Sequence, residues 1–275
     1  MDLEEVIIGL YLRLEAAYTG LLGSKRLRQR GPAPGLSDVE VLTIEVFAEW
    51  QGHHEEKSIY RYIRAHWLDW FPRLPCYQNF RRQCANLRWL KQQLIETLWP
   101  VADVHVIDGV PLPLCQFARA RHCKRLRTDA AYGYCAAKKM TFWGLKGYPL
   151  LRMDGVICAF WTLPGNLDER SVLDNLVGRV RGLLLGDKGF QLKATQQQDL
   201  QAHGLHLLVP ARKNMPQTLS KPAENQFKNL RRRIETAIGQ LCERYDLNRI
   251  KARASLAFLA AIFRKVLAYN LSLAA

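Results

Sequence analysis

Apolar side chains recur at helical spacing through the first hundred residues. Val6, Ile7, Leu10, Leu14 and Tyr18 line one face of a helix over residues 1–23, which Gly20 and Gly23 bring to an end. Lys25, Arg26, Arg28 and Arg30, followed by Gly31, Pro32, Pro34 and Gly35, read as an exposed basic loop. Ser37 with Glu40 three residues later spells a capping box, and Val41, Ile44, Val46, Phe47 and Trp50 continue the helix it starts. Further helical stretches cover residues 57–70 and 77–99, the second carrying Arg81, Arg82, Arg88 and Lys91. The expectation is an all-helical N-terminal domain over residues 1–100. Its basic face suits DNA binding of the helix-turn-helix kind and plain helix packing equally.

At Pro100 the period changes. V-A-D-V-H-V-I-D-G puts Val104, Val106 and Asp108 on one face of a strand. Residues 111–137 read as a basic loop with Arg119, Arg121, Lys124, Arg125 and Arg127, and no acid stands between Asp108 and Asp129. Residues 140–161 form a hairpin around Met153, Asp154 and Gly155. A helix over 168–181, a short strand over 182–186 ending at Asp187, a helix over 191–203 and a strand over 206–210 come next. Helices over 227–245 and 254–273 close the chain. Three strands followed by alternating helix and strand predict an α/β fold for residues 101–275, an RNase H-like mixed sheet with flanking helices.

Charge narrows the function. The 275 residues hold 40 Lys and Arg against 25 Asp and Glu, a net +15. A folded chain this basic points to a polyanionic partner, nucleic acid first. No stretch of about 18 uncharged apolar residues occurs, so no membrane span is expected. The acidic start lacks a signal-peptide pattern, which points to the cytoplasm. The seven cysteines include no C-x-x-C and suggest reduced thiols.

Three carboxylates stand where chemistry would put them. Asp108 ends the first strand and Asp187 the fourth, and ligands gather at the carboxyl ends of strands in such sheets. Glu235, in L-R-R-R-I-E-T-A-I-G-Q-L, is the one acid between Glu224 and Glu243. Converging carboxylates repel one another unless cations sit between them. Oxygen ligands suit Mg²⁺ or Mn²⁺, and two such ions can drive attack on a phosphodiester. Each acid by itself also reads as a turn or a solvated helix residue.

Segments in order carry a resemblance. L-S-D-V-E-V-L-T-I-E-V-F-A-E-W-Q-G (36–52), F-P-R-L-P-C-Y-Q-N-F-R-R (71–82), V-I-D-G-V-P-L-P-L-C (106–115), L-P-G-N-L-D-E-R (163–170), L-G-D-K-G-F (185–190), P-A-R-K-N-M (210–215) and R-R-R-I-E-T-A-I-G-Q-L (231–241) resemble bacterial DDE insertion-sequence transposases, most closely the insertion sequence nine-eight-two family. The resemblance spans residues 36–273. It implies an RNase H-like catalytic domain that cuts element ends and transfers the strand into a target. It implies Asp108, Asp187 and Glu235 as catalytic residues and as ligands of two Mg²⁺ or Mn²⁺ ions. It further implies that Lys188, Arg212, Lys213, Arg231 and Arg232 contact DNA. The partner would be double-stranded DNA, as terminal inverted repeats and as target, with action at the bacterial nucleoid; coordinated cutting of two ends would call for a homodimer. This sequence departs from the family pattern at Gly109, where Ser or Thr is usual, at Cys242 in place of Lys, and at Lys251, Ala252, Arg253 and Ala254. A domesticated or decayed, non-catalytic DNA-binding protein stays open as the alternative.

Other features read more plainly. His53, His54, Glu55 and Glu56 suit a solvated loop. Trp143 and Trp161 could stack on a flipped base or pack in the core, and Tyr132 and Tyr134 lie in a basic segment where sugar or base contact is conceivable.

Overall fold

A computed structural model describes residues 2–23, 25, 27, 33–136, 139–210 and 221–273. The described elements run α1 (Leu3–Leu22), α2 (Asp38–Trp50), α3 (Glu56–His66), α4 (Tyr77–Asn86), α5 (Arg88–Leu98), β1 (Val104–Ile107), β2 (Val110–Gln116), β3 (Ala131–Cys135), β4 (Met140–Arg152), β5 (Ile157–Pro164), α6 (Leu173–Leu176), β6 (Gly182–Leu185), α7 (Ala194–Ala202), β7 (Leu205–Leu208), α8 (Lys221–Glu243) and α9 (Ser255–Ser272). They fall into two units, Met1–Leu98 with Arg244–Ala275, and Trp99–Glu243. The last helix, grouped with the sheet on sequence grounds, therefore packs among the N-terminal helices.

In the helical unit the Ser37–Glu40 capping box forms as read. Glu40 N–H donates to Ser37 Oγ at 3.1 Å and Ser37 N–H to Glu40 Oε2 at 2.6 Å. The long helix expected over 77–99 is broken instead at Leu87, which is buried between α4 and α5. Helix α9 is long and apolar enough to cross a bilayer by length and composition, yet 78% of it is buried in the fold. Its burial includes Arg264 and Lys265, which are fully enclosed. Arg264 Nε donates to Glu49 Oε1 at 2.7 Å and Lys265 Nζ to the same oxygen at 3.0 Å. Lys91 Nζ lies 2.5 Å from Glu45 Oε2. Buried charges persist only when paired, so this cluster fixes α9 against α2 and α5. The histidine loop joins it: His54 Nδ1 lies 2.6 Å from Glu49 Oε2.

The second unit is a mixed α/β fold on one seven-stranded sheet. Strand β4, 13 residues long, is its spine. Strands β3 and β5 pair antiparallel along one edge of β4, and β2 and β1 along the other. Strand β6 pairs parallel with β1, and β7 parallel with β6. Seven strands stand where the sequence suggested five, because the expected basic loop at 111–137 contains β2, a short 3-10 helix (Phe117–His122) and β3. Pro111 and Pro113 hid β2; prolines are tolerated there because β2 pairs on one side only. The helix expected over 168–181 shrinks to a 3-10 turn and α6, since Gly178 takes a φ of +77° and ends it.

Strand β6 enters through Gly182, whose φ is +87° and whose position leaves no room for a Cβ, 2.1 Å from Asp103 O. Gly182→Ala is expected to cost about 2 kcal/mol. Urea denaturation followed by circular dichroism checks it; an unchanged midpoint refutes it.

Candidate active site

The register sets two aspartates side by side. Ile107 pairs with Leu150 and Val110 with Gly147, so β1 and β2 form one line along β4, interrupted at Asp108 and Gly109. On the other edge of β1, Val106 lies beside Leu185 of β6 in parallel register. Two residues further on, Asp108 and Asp187 leave the ends of adjacent parallel strands, which lie about 4.8 Å apart. Each carboxylate accepts from the next backbone N–H: Asp108 Oδ1 from Gly109 at 2.8 Å, and Asp187 Oδ1 from Lys188 at 2.6 Å.

The Asp108 carboxyl is perturbed. Burial pushes its pKa up to about 6, and the charges of Asp187 and Glu169 add to the rise against the Gly109 N–H and Arg231, which lower it. Glu235 stands on the exposed side of α8, a helix that packs on β1. Arg231, one turn earlier, joins it to the strand ends. Its Nη1 lies 3.0 Å from Asp187 Oδ1 and its Nη2 3.3 Å from Glu235 Oε1. Asp108 and Asp187 thus leave neighbouring strand ends, and Glu235 reaches Asp187 only through the Arg231 guanidinium. Among the described residues, no three His, Cys, Asp or Glu side chains converge as a ligand set for a metal ion. The charge of the site still fits a cation, because a cationic side chain already occupies the space between Asp187 and Glu235.

The structure adds a fourth acid, Glu169. Burial raises its pKa, the Lys146 charge lowers it, and the charges of Asp187 and Asp168 raise it further. A Cβ on Gly189 would fall 1.9 Å from Glu169 Oε2, and one on Gly109 would fall 3.5 Å from Oε1 and 3.3 Å from the Tyr148 ring. A side chain at position 109 would therefore touch Tyr148 and Glu169, and one at position 189 would displace the Glu169 carboxylate. The Tyr148 hydroxyl is buried with no hydrogen-bond partner among the described residues. Glu169 lies in the L-D-E-R segment at 167–170, and its place in that motif is the signal in the sequence that marks it. Its neighbour Asp168 is occupied otherwise, held down to about pKa 2 chiefly by its hydrogen bond from Arg170.

The expected DNA contacts are placed unevenly. Lys188 is exposed on the turn after Asp187, and Arg232 is exposed on α8. Arg231 is committed to the two carboxylates. Arg212 and Lys213 lie outside the described residues. Trp161 packs against the hydrophobic core, whereas Trp143 lies beneath Tyr132.

A family model described as a transposase DDE domain matches residues 100–255. No curated protein and no solved structure matches the chain. The matched stretch covers more than half of the 275 residues and holds both strand-end aspartates, Glu169 and Glu235, and on that ground the chain belongs to the transposase DDE domain family.

Proposed function

We propose that this protein is a DNA transposase of the insertion sequence nine-eight-two kind, with an RNase H-like catalytic unit that cuts element ends and joins them to target DNA. The observation that supports the reading is the parallel register from which Asp108 and Asp187 leave neighbouring strand ends, with Arg231 bridging Asp187 to Glu235. Asp108 and Asp187 would hold a divalent cation, Mg²⁺ or Mn²⁺, and Glu235 would complete the set for a second ion once Arg231 lets go. Such ions, when bound, stabilise charge on the attacking and leaving oxygens of a phosphodiester. Glu169 would add negative charge beside the pair, and the exposed Lys188 and Arg232 would contact the phosphate backbone. The net charge of +15 supports a DNA partner. The need to cut two ends together supports a homodimer.

Incubating the protein with Mg²⁺, labelled end DNA and a target plasmid tests the reading. Joined products are expected. Cleavage without joining would reduce the protein to a metal nuclease, and neither product would leave a DNA-binding role alone.

Arg231 makes a separate prediction. It competes with metal for Asp187 and Glu235, so Arg231→Ala is expected to tighten Mn²⁺ binding several-fold in calorimetry. Unchanged or weaker binding would mean that the guanidinium supports the ligand geometry instead of excluding the ion.

A further inference from the structure

Away from the carboxylates, the sheet unit exposes a group of aromatic rings. Tyr132 and Tyr134, two residues apart on β3, share one face and are 45% and 59% exposed; Phe117, just beyond β2, is 59% exposed. Isolated apolar residues are ordinary on a surface, but clustered rings mark a contact site. Two of these rings, Tyr132 and Phe117, are also held in place. Tyr132 stands 5.5 Å from Phe117 and 4.9 Å from Trp143, tilted to the first and edge-on to the second. Cross-strand pairing puts Trp143 directly opposite Tyr132, and Thr141 opposite Tyr134.

Beside the rings lies an open cleft of about 410 Å³, lined by Tyr132, Tyr134, Thr141, Lys146, Asn166 and the glycines at 133 and 165. The two glycines let β3 and the end of β5 close together: a Cβ on Gly133 would meet Gly165 O at 2.8 Å. The cleft is a shallow trough open to solvent, the form that suits part of a strand laid across it. Its lining combines π faces, an amide and a cation, which suit a base, a base edge and a phosphate. The flanking segment supplies Arg119, Arg121, Lys124 and Arg127, all exposed. This charge favours a nucleic-acid strand over an apolar peptide.

The cleft also leads to the carboxylates. Lys146 Nζ donates to Leu167 O at 3.1 Å, and its charge acts on Asp168 and Glu169. Along β4, Trp143 to Gly147 is about 13 Å at roughly 3.3 Å per residue, and Gly147 pairs with Val110, two residues after Asp108. That span is about four steps of a stacked strand at 3.4 Å each. Bases within a duplex are already stacked and offer no face to these rings.

We propose that Tyr132, Tyr134 and Phe117 form a stacking platform for an unpaired base of the DNA strand that enters the Asp108–Asp187 site. The proposal rests on the reading of the protein as a DNA transposase.

Fluorescence anisotropy with the full chain, without metal, tests it. The probes are a blunt duplex, the same duplex with a five-nucleotide single-stranded tail, and the tailed duplex with abasic tail positions. The tailed duplex is expected to bind about 10–100-fold tighter than the other two. The double variant Tyr132→Ala, Tyr134→Ala is expected to lose that advantage with blunt-duplex binding within about twofold, and Tyr132→Phe, Tyr134→Phe to keep it. Should the alanine variant not fold, 2-aminopurine in the tail serves with the unaltered protein; its fluorescence is expected to be quenched on binding. Equal affinity for tailed and blunt probes, equal weakening of both by the alanines, or no quenching overturns the platform while leaving duplex binding intact. Failure to bind any probe overturns the DNA reading and the platform with it.

Discussion

Asp108→Asn is expected to abolish cleavage and joining of end DNA, by about 10³-fold or more, because a neutral amide is a poor ligand for a hard cation. The same change is expected to stabilise the metal-free protein at neutral pH. The Asp108 carboxyl has an ordinary pKa of 3.8 and a folded value of about 6. Between those values the folded state holds more protons than the unfolded state, so stability falls as pH rises from 3.8 to 6 and stays lower above. The gap corresponds to about 1–3 kcal/mol at pH 7. Thermal melting should therefore show Asp108→Asn above the parent at pH 7 and level with it near pH 4. Calorimetry should show Mn²⁺ binding by the parent weakening as pH drops below about 6. An asparagine variant that still joins DNA would remove Asp108 from the chemistry, and one that melts lower at pH 7 would show that burial of the charged carboxylate does not strain the fold.

Glu49→Gln is expected to destabilise the helical unit by about 3–5 kcal/mol, the cost of leaving buried charges unpaired. Arg264 Nε and Lys265 Nζ converge on Glu49 Oε1 at 2.7 and 3.0 Å, and both cations are fully buried. With total stabilities of about 5–15 kcal/mol, such a loss moves a domain close to unfolding. The acid limb should carry the same signature. Burial pushes the Glu49 carboxyl up, but Lys265 and Arg264 outweigh it and hold the pKa at about 2, against an ordinary 4.5. Its contribution is complete above pH 4.5 and is lost as pH falls toward 2. Urea unfolding at pH 7 and pH 3 measures both effects. A change under 1 kcal/mol at pH 7 would show that apolar packing, not the ion cluster, fastens α9 to α2.

Much of the local structure was legible along the chain. The capping box at Ser37 and Glu40, the change of period near residue 100 and the hairpin around Gly155 depend on neighbours a few residues apart. What misled was also local: Pro111 and Pro113 argued against a strand that an unpaired edge accommodates, and residues 77–99 hid a break at Leu87. Two of the candidate acids could be picked out because each follows a short apolar strand. Glu169 stands in a segment that reads as helix, so only its place in the L-D-E-R motif marks it in the sequence. Its nearness to Asp108 comes from the segment after β5 folding back toward Gly109 and Gly189.

The sequence by itself determined the helical start, the strand-rich middle, the basic charge and the choice of Asp108, Asp187 and Glu235 as acids to watch. These follow from spacing and composition, which act over a turn of helix or a few strand positions. Only the tertiary structure decided that α9 joins the N-terminal helices, that Arg231 stands between Asp187 and Glu235, and that Glu169 stands beside the strand-end pair. Those relations connect residues tens to hundreds of positions apart. They are set by strand register and by the need of buried charges for partners, and neither leaves a periodic trace in the chain.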